Sequence, residues 1–543
     1  MRKKLALGLD FGTNSVRGLV VDTATGKELA SHVFNYPHGD AGIILDRRDP
    51  HLARQHPQDY LDGTIACVKG CLRKVGATDI VGIGVDTTGS TPIPVDADGE
   101  PLAFRKEFKK DPAALAWLWK DHTGHAEAEK ITEAAGKLRP QYLAKCGGKY
   151  SSEWFWSKIW RCATASPKVF DTAYTWVEHA DWLPAVLTGT THPDKLKRGI
   201  CAAGHKAMFH PSWGYPDAEF LSALDPKLAK VKLPRKAYTV ADIAGTLTEE
   251  WAKRLGLRAG IPVAVGAFDA HLGGVGSGIG PGTLVKIVGT STCDMMVAPL
   301  ASALPDIPGL CGIVPESILP GYYGLEAGQS AVGDIFNWFV RFNGQKHQDL
   351  EKNAAKLRPG ESGLLGLDWH NGNRTILTDQ RLTGMLLGLT LHTTPVEVYR
   401  ALVEATAFGA RRIVERFEEY GVKVERVINC GGISVKSPFT MQIYADVIGR
   451  TMEVSRSTQT CALGSAMAGA VVGGAHKSFT VAAGAMTGTM KKKYIPNTAA
   501  VKIYNRLYAL YRRLHDIHGT KAFAENQYDL MKELLAIRDE ARR

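Results

Sequence analysis

Two short stretches of glycine, threonine and serine combine residue types that could bind phosphate. The first, GTNS at residues 12–15, lies between the apolar runs LALGLDF and VRGLVVD, with Asp10 just before it. The second, GTS at residues 289–291, lies between LVKIV and TCDMMV. Each pattern predicts a β-hairpin whose tip offers backbone N–H groups and hydroxyls to a close ligand. Such residues also dominate ordinary hairpin turns, so either tip alone has a purely conformational explanation.

Asp269 is the candidate catalytic group. It stands in AVGAFDAHLGG, directly after an apolar run that predicts a strand, so its side chain is expected at a strand end. A carboxylate in that place could accept the proton of a substrate hydroxyl. The structural alternative is a helix cap, because an aspartate before Ala-His-Leu could simply start a helix. Asp10 offers an oxygen ligand of the kind that hydrated Mg²⁺ prefers.

The elements that must position these groups alternate between strands and helices. Buried strands are predicted over residues 80–86 and 424–432, each after a helical pattern, and this alternation favours an α/β fold. A chain of 543 residues is too long for one core. The glycine-rich segment 273–283 suggests a connection, so we predict domains over residues 1–280 and 281–543. The two hairpins then begin two halves of similar plan.

Composition argues against several other classes of protein. Nine cysteines without a CxxC pair are typical of thiols in a reducing compartment, which predicts a cytoplasmic protein. The net charge is +11, but the basic residues are scattered, so we expect no nucleic-acid partner. No apolar stretch is long enough to span a bilayer, and the first one stops at Asp10, short of a signal-peptide core. We therefore expect no membrane association and no export.

The common nucleotide-binding signatures are missing, since the chain has neither a GxxxxGK[ST] loop nor a GxGxxG loop. Instead it resembles the FGGY family of carbohydrate kinases, in the superfamily of actin, hexokinase and Hsp70, from Leu7 to at least Gly473. The resemblance rests on DFGTNSVRG, GAFDAHLGGVGSG, IVGTST and GGISVKSPFTMQIYADVIG. The stretches GVDTTGSTPIPVD, WLWKDHT and AAGHKAMFHPSWGYP are similar to members that act on a ketopentose.

This resemblance implies an α/β fold of two actin-like (ribonuclease H-like) ATPase domains with a catalytic cleft between them. It implies ATP and Mg²⁺ as cofactors, Asp269 as the general base, and Asp10 acting on Mg²⁺ through water. The ATP-binding residues that it implies are Gly12, Thr13, Asn14, Ser15, Gly289, Thr290, Ser291, Gly333, Asn337, Gly431, Gly432 and Lys436. Gly431 and Gly432 could otherwise form a turn, and Gly333 and Asn337 could otherwise belong to an ordinary amphipathic helix.

For the sugar, the resemblance implies Thr91, Trp119, Lys206 and Glu326, with Asp269 at the reacting hydroxyl. Trp119 could instead be a core residue at helical spacing. Lys206 is flanked by apolar residues, and a partly buried lysine needs a partner. Three histidines near these motifs lack paired carboxylates at ligand spacing, so we expect hydrogen-bonding roles rather than a zinc site for His122, His205 and His271.

The implied activity is ATP-dependent phosphorylation of the ketopentose L-ribulose to its 5-phosphate in arabinose use. Two alternatives stay open. One is an FGGY kinase for another ketose or polyol, such as xylulose or ribitol, because one sequence does not fix sugar stereochemistry. The other is a non-catalytic ATP switch. Amphipathic patterns over residues 500–519 and 524–543 predict C-terminal helices that could also form a homodimer contact.

Overall fold

The computed structural model describes residues 3–521, 523, 527 and 529–542. None of the helices in that part of the chain combines the length and the apolar character needed to cross a membrane. Short 3₁₀ helices lie at Ala77–Asp79, Leu102–Phe104, Lys106–Phe108, Pro112–Ala114 and Leu228–Lys230.

The first half of the chain is built around a large mixed sheet. The strands of this half are β1 (Leu5–Phe11), β2 (Ser15–Asp22), β3 (Glu28–Asn35), β4 (Ile44–Leu45), β5 (Ala53–Gln55), β6 (Ile80–Thr87), β7 (Pro92–Val95), β8 (Ala116–Trp117), β9 (Thr175–Glu178), β10 (Ile243–Thr246), β11 (Pro262–Ala264) and β12 (Ala267–Phe268). The order of the large sheet is β10-β11-β6-β1-β2-β3, and β12 also pairs with β6. Strands β1, β2 and β3 are antiparallel neighbours, whereas β6 is parallel to β1 and β11 is parallel to β6.

The helices of this half pack around that sheet and form a smaller helical region beside it. They are α1 (Pro57–Leu72), α2 (His125–Leu138), α3 (Pro140–Ala144), α4 (Phe155–Ala165), α5 (Pro167–Thr172), α6 (His179–Thr188), α7 (Ile200–Ala207), α8 (Ala218–Leu224), α9 (Glu249–Leu255) and α10 (Asp269–Gly276). Helix α1 begins at Pro57, because His56 caps it and proline is well suited to the first turn of a helix.

The second half repeats the plan of the first sheet. Its strands are β13 (Thr283–Val288), β14 (Thr292–Pro299), β15 (Gly312–Pro315), β16 (Tyr322–Ala327), β17 (Leu365–Leu367), β18 (Met385–Leu387), β19 (Arg426–Cys430) and β20 (Met452–Val454). The larger sheet has the order β15-β16-β14-β13-β19-β20. As in the first half, an antiparallel meander (β13, β14, β16) continues through two parallel strands (β19, β20). The two halves of similar plan are thus present.

The helices of the second half are α11 (Gly333–Asn343), α12 (His347–Ala354), α13 (Pro395–Glu419), α14 (Gly432–Lys436), α15 (Pro438–Ile448), α16 (Thr460–Val472), α17 (Phe479–Met486), α18 (Thr498–Gly519) and α19 (Leu530–Arg542). The long helix α13 starts at a capping box formed by Thr394 and Glu397. Both predicted C-terminal helices are present in the described residues, but residues 524–526, 528 and 543 of the second prediction lie outside them.

The two halves share a buried core where α10 of the first packs against α16 of the second. The contact is close because glycines face it. A Cβ at Gly276 would lie 2.0 Å from the Thr460 backbone oxygen, and one at Gly464 would lie 1.8 Å from the Leu272 oxygen. Only hydrogen at these positions permits this approach, which sets the spacing of the two sheets on either side of the site.

Candidate active site

Three aspartates meet at the carboxyl ends of parallel strands in the first sheet. Asp10 on β1 is the register partner of Asp86 on β6, and Asp86 is also opposite Ala267 on β12. Asp269 follows β12 directly and is the first residue of α10. Parallel strands end at the same sheet edge, so three residues far apart in sequence share one site.

Burial raises the pKa of all three carboxyl groups, and the charge of Asp10 adds to the shift at Asp86 and Asp269. Desolvation raises the pKa of Asp10, although Asp86 and Arg17 oppose the shift. Asp86 is fully buried, and desolvation and Asp10 hold its pKa well above the usual value. Desolvation and Asp10 raise the pKa of Asp269 to about 7. Close carboxylates that ionise reluctantly are typical of a site where a cation or a transferred proton balances the charge.

The first glycine-threonine tip joins β1 to β2, next to Asp10. The Gly12 N–H donates to the Ser15 carbonyl oxygen at 2.9 Å, which closes the turn. Thr13 is fixed from two sides, because Gln55 Nε2 donates to its carbonyl oxygen at 2.7 Å and Trp119 Nε1 donates to its hydroxyl at 3.0 Å. The side chain of Asn14, an exposed residue, donates to the Ala41 carbonyl oxygen at 2.6 Å.

The second tip joins β13 to β14 and rests against the start of α11. The Gly289 N–H donates to the Ser291 carbonyl oxygen at 3.0 Å. Val332 donates its N–H to the Thr290 carbonyl oxygen at 2.7 Å, and Gly333 donates to the Gly289 carbonyl oxygen at 3.1 Å. Both predicted hairpins are thus confirmed. In each, the glycine N–H donates a backbone hydrogen bond to the serine carbonyl oxygen across the turn.

A cavity of about 640 Å³ lies between the two halves and is lined by residues of both. It brings together six of the residues singled out from the sequence, namely Thr13, Trp119, Lys206, Asp269, Ser291 and Glu326. Lys206 has the partner that its surroundings require, since its Nζ lies 3.0 Å from Glu326 Oε1 and 3.2 Å from Oε2. This ion pair crosses from the first half to the second.

Buried polar groups support the wall of this cavity that Trp119 and Ser90 line. The Lys158 ammonium is fully buried and donates to the carbonyl oxygens of Ser90 at 2.6 Å, Leu118 at 2.8 Å and Trp117 at 3.3 Å. Desolvation lowers the pKa of Lys158 to about 7. One side chain thereby fixes the backbone before Trp119 and the loop that includes Thr88 and Ser90.

Thr91 lies behind this wall rather than among the lining residues. It is completely buried, its hydroxyl is 3.0 Å from that of Thr88, and its N–H donates to Glu178 at 2.7 Å. Thr88 lines the cavity instead. A direct contact of Thr91 with sugar remains a prediction; in this structure the residue supports Thr88.

The remaining residues predicted for ATP lie on α11, at the end of β19 and on α14. Gly431 and Gly432 follow β19, and Gly431 has a φ of 89° in close contact with the Val288 backbone. A Cβ on Gly432 would meet no atom within 4 Å, so this surface is open. Lys436 is exposed on α14, and Asn337 is exposed on α11 with its Oδ1 2.8 Å from His347 Nε2.

Several residues at the site were not singled out from the sequence. Asp86 lies near the end of a strand inside a motif already noted, and that strand-end position was an available signal, whereas its pairing with Asp10 was not. Arg374 lines the cavity from the second half, with its charged group 3.7 Å from that of Glu153, a residue that the sequence already allowed to reach the cleft. No local pattern marks Arg374, because it stands in an irregular segment far from the other motifs.

Two of the discounted histidines also lie at the site. His205, His271 and Glu326 bring their ligand atoms within 4.8 Å of one another, a grouping that could hold a metal ion. The Lys206 ammonium already pairs with the same carboxylate. His122 is at the rim, with Nδ1 3.0 Å from the Ser152 hydroxyl.

The family follows from comparison with known proteins. Residues 5–276 match the N-terminal domain of the FGGY family of carbohydrate kinases, and residues 284–472 match its C-terminal domain. This chain belongs to the FGGY family. It is therefore a sugar kinase, and kinases of this family use ATP as phosphoryl donor, generally with a divalent metal ion.

Relatives of this FGGY kinase cover nearly its whole length. A ribulokinase of Geobacillus thermodenitrificans is 42% identical, with 100% of this chain and 98% of the relative aligned. A ribulokinase of Vibrio parahaemolyticus is 43% identical over 94% and 95% of the two chains. The crystal structure of a xylulose kinase from Lactobacillus acidophilus superimposes with a TM-score of 0.79 at 21% identity, covering 95% of this chain and 98% of that one. The predicted fold class is confirmed.

Proposed function

We propose that this kinase transfers the γ-phosphoryl group of Mg-ATP to L-ribulose and forms L-ribulose 5-phosphate, in the use of L-arabinose. The observation that carries the proposal is the convergence of Asp269, the Lys206–Glu326 pair and both glycine-threonine tips on one cavity. The relatives named ribulokinase, more than 40% identical over almost all of the chain, support this sugar over other ketoses and polyols.

In this proposal Asp269 accepts the proton of the sugar hydroxyl as its oxygen attacks the γ-phosphorus. The oxygen–phosphorus bond of the product forms, the bond to the leaving ADP breaks, and the proton ends on the carboxylate. A pKa raised to about 7 suits a general base that works near neutral pH. Little further covalent chemistry is required, because phosphoryl transfer depends on placement and charge stabilisation.

The sugar would lie at the end of the cavity that Lys206 and Glu326 line. A carboxylate accepts hydrogen bonds from hydroxyls, and an ammonium donates hydrogen bonds to them. The pair can therefore bind two neighbouring hydroxyls, one acting as donor to Glu326 and the other as acceptor from Lys206. The Trp119 indole offers an apolar face for the C–H side of the sugar. Its Nε1 bond to the Thr13 hydroxyl links this face to the first phosphate loop.

The triphosphate would lie between the two tips, with its nucleoside on the second half. Gly12, Thr13, Asn14 and Ser15 would face Gly289, Thr290 and Ser291 across it, with the backbone N–H groups as donors. The open surface at Gly432, beside Gly431, Gly333, Asn337 and Lys436, leaves room for the adenosine. We place the domain boundary near residue 280, with sugar mainly on the first half and ATP mainly on the second.

The aspartate cluster fits a divalent ion such as Mg²⁺. One oxygen of Asp86 is buried without a hydrogen-bond partner in the described structure, and the pKa values of Asp10 and Asp86 are raised. Oxygen ligands that carry surplus negative charge are those that Mg²⁺ prefers, and Asp10 would act on it through water. The ion would offset charge on the phosphates. Asp10 and Asp86 hold this charge at the edge of the sheet.

Substrate-panel kinetics test the proposal. The purified enzyme is assayed for ADP release with Mg-ATP and a panel containing L-ribulose, D-ribulose, xylulose, ribitol, glycerol and gluconate. We expect the highest kcat/KM for L-ribulose. A clear preference for another acceptor would overturn the sugar assignment, and ATP binding without turnover on any acceptor would favour the ATP-switch alternative.

Two features outside the site complete the proposal. All nine cysteines are free, which supports a location in a reducing compartment, the cytoplasm.

A homodimer is supported by Met531 and Leu535, which expose 57% and 38% of their surface on the C-terminal helix α19. Light scattering coupled to size-exclusion chromatography measures the mass, and a mass of 58.9 kDa in solution would contradict the dimer.

A further inference from the structure

A second charged pair crosses the cavity between the two halves. The guanidinium of Arg374, from the second half, lies 3.7 Å from the carboxylate of Glu153, from the first, and both residues line the cavity. The pair of Lys206 with Glu326 has the opposite arrangement, with its cation on the first half and its anion on the second. Each half therefore offers one cation and one anion to the same space.

The Arg374–Glu153 pair is looser than the Lys206–Glu326 pair. Its separation of 3.7 Å exceeds the length of an N–H···O hydrogen bond, whereas Lys206 Nζ lies 3.0 Å from Glu326 Oε1. Neither the Arg374 nor the Glu153 side chain forms a hydrogen bond to another described residue. They expose 26% and 21% of their surface, so the guanidinium donors and the carboxylate lone pairs remain available to a molecule in the cavity.

A closed and strained loop of the second half carries Arg374. Asn373 and Asp379 each donate a backbone N–H to the carbonyl oxygen of the other, at 2.8 and 2.9 Å, and thereby close the loop. Within it, Ile376 and Thr378 have φ values of 89° and 49°. Branched side chains rarely adopt this left-handed conformation, and such strain is concentrated at ligand-binding and catalytic sites. A binding role is therefore expected for this loop.

The same loop is attached to the strand that carries Glu326. The Thr375 hydroxyl accepts a hydrogen bond at 2.8 Å from the N–H of Gly328, which directly follows β16. The Ile376 N–H donates to the Gly309 carbonyl oxygen at 3.1 Å. These bonds hold the loop, with its arginine, beside the end of that strand.

Glu153 lies close to Lys206 on the first half. It directly precedes Trp154, whose ring centre is 5.2 Å from Lys206 Nζ. On the second half, the loop of Arg374 adjoins the strand of Glu326. The two charged pairs are therefore neighbours on both walls of the cavity, and one acceptor molecule can contact both.

The proposed base is linked to Glu326 by a different contact. His271 Nε2 lies 3.2 Å from Glu326 Oε2, and His271 belongs to α10, the helix that Asp269 begins. Along this series of contacts, Glu326 stands between Asp269 and Arg374. A sugar whose reacting hydroxyl lies at Asp269 and whose middle contacts Glu326 would direct its far end toward Arg374.

We propose that Arg374 and Glu153 form a second sugar-binding pair, which binds oxygen atoms of the acceptor at the end remote from the hydroxyl that Asp269 deprotonates. This rests on the proposed function, because it extends the sugar site of Lys206 and Glu326. A guanidinium donates to two neighbouring oxygens at once, and a carboxylate accepts a hydrogen bond from a hydroxyl. The pair thereby selects acceptors that are long enough to reach it from Asp269.

Kinetics with two acceptors of different length test the proposal. Arg374→Met removes the donors of the pair and keeps a long side chain. We expect kcat/KM for L-ribulose to fall by about 10- to 100-fold, as for the loss of one charge-assisted hydrogen bond, with the KM for ATP unchanged. Glycerol is too short to reach the pair, so its kcat/KM should stay within error. Equal losses for both acceptors, or an unchanged kcat/KM for L-ribulose, would overturn the proposal.

Two further variants separate charge from geometry. Arg374→Lys keeps the positive charge but cannot donate to two oxygens in a fork, so it should recover only part of the lost kcat/KM. Arg381→Met is the matched control, because Arg381 lies farther along the same segment, is 90% exposed and is 4.0 Å from Asp379. It removes an equal charge and should leave the kinetics for L-ribulose unchanged. A loss as large as in Arg374→Met would contradict a specific contact of Arg374 with the sugar.

Binding of L-ribulose without ATP gives a second measurement. Isothermal titration calorimetry should show a Kd raised at least about tenfold in Glu153→Ala, because this variant removes the acceptor of the pair. Glu153 lies on the other half, so this variant decides the question even if Arg374→Met does not fold. An unchanged Kd, with L-ribulose turnover intact, would overturn the second pair alone. If the unmodified enzyme prefers another acceptor, the proposed function fails, and the same comparison with that acceptor decides the role of the pair.

Discussion

The two ends of the cavity differ in the types of residue that form them and in how far those residues are buried. At the end proposed for the sugar, called the sugar end below, charged side chains from both halves are buried against one another, as in the pair of Lys206 with Glu326 and the three carbonyl contacts of Lys158. At the end proposed for ATP, called the nucleotide end below, glycines and exposed polar residues line an open surface, and the fixed bonds are backbone bonds such as Gly333 to Gly289. The same sheet plan supports both ends.

This difference has a physical consequence. A buried charge that loses its partner keeps its desolvation cost, so changes at the sugar end should affect both stability and catalysis. An open glycine surface carries little buried charge, so changes at the nucleotide end should act through backbone strain and steric fit. The predictions below test this contrast.

The largest effect is expected from Asp269→Asn. Removing the proposed base should lower kcat by about 10² to 10⁴. The variant should also be more stable than the unmodified enzyme at pH 8, by ~1–3 kcal/mol, because a buried carboxyl with a pKa of about 7 is charged there at a cost. Thermal unfolding at pH 5 and pH 8 measures this, and the gain should shrink at pH 5, where the carboxyl is already neutral. Near-normal turnover would remove Asp269 from the mechanism.

The second-largest effect is expected from Lys206→Met. It leaves Glu326 without its ammonium partner, so we expect a loss of ~3–5 kcal/mol in the free energy of unfolding and a KM for sugar raised at least tenfold. Urea unfolding and steady-state kinetics measure the two effects. The matched control is Lys137→Met, which breaks an exposed pair with Glu133 and should leave both quantities unchanged. An equal response of the two variants would show that burial does not set the effect.

The pH dependence of the unmodified enzyme sharpens the same contrast. A base with a raised pKa must lose its proton to act, so kcat/KM for the sugar should fall about tenfold per pH unit below about pH 7. The affinity for adenosine alone should change much less, because the open surface at Gly431 and Gly432 has no comparable buried acid among the residues described above, whereas Asp10 and Asp86 are proposed to act on the metal of Mg-ATP. Kinetics and adenosine binding between pH 5.5 and 8.5 decide this, and a flat profile of kcat/KM would contradict a pKa of about 7.

The smallest effect is expected at the nucleotide end, from Gly431→Ala. Gly431 has a φ of 89°, and a Cβ there would lie 2.6 Å from the Val288 backbone oxygen. We expect the KM for ATP to rise several-fold with the KM for sugar unchanged, and a stability loss of ~2–3 kcal/mol. Gly449→Ala is the matched control, since its φ is 72° and a Cβ meets no atom within 4 Å. It should cost only the ~1–2 kcal/mol of a left-handed conformation.

The sequence predicted the local elements near the site well. The strand predicted over residues 80–86 is Ile80–Thr87, and both hairpins have their tips at the predicted glycines. These features depend on alternation of apolar residues and on turn chemistry, which neighbouring residues determine. Asp86 shows the limit, because its strand was predicted but its meeting with Asp10 depends on a parallel pairing of distant segments.

The histidines show that limit more sharply. His205 and His271 lack a carboxylate at ligand spacing in the sequence, and the carboxylate that they contact is Glu326, on a strand of the other half. The chain by itself determined the strands, the two tips and a strand-end aspartate, because these follow from short-range pattern. Only the tertiary structure decided which charges share a buried site, because that depends on how two separate sheets pack through α10 and α16, and desolvation then sets how each group ionises.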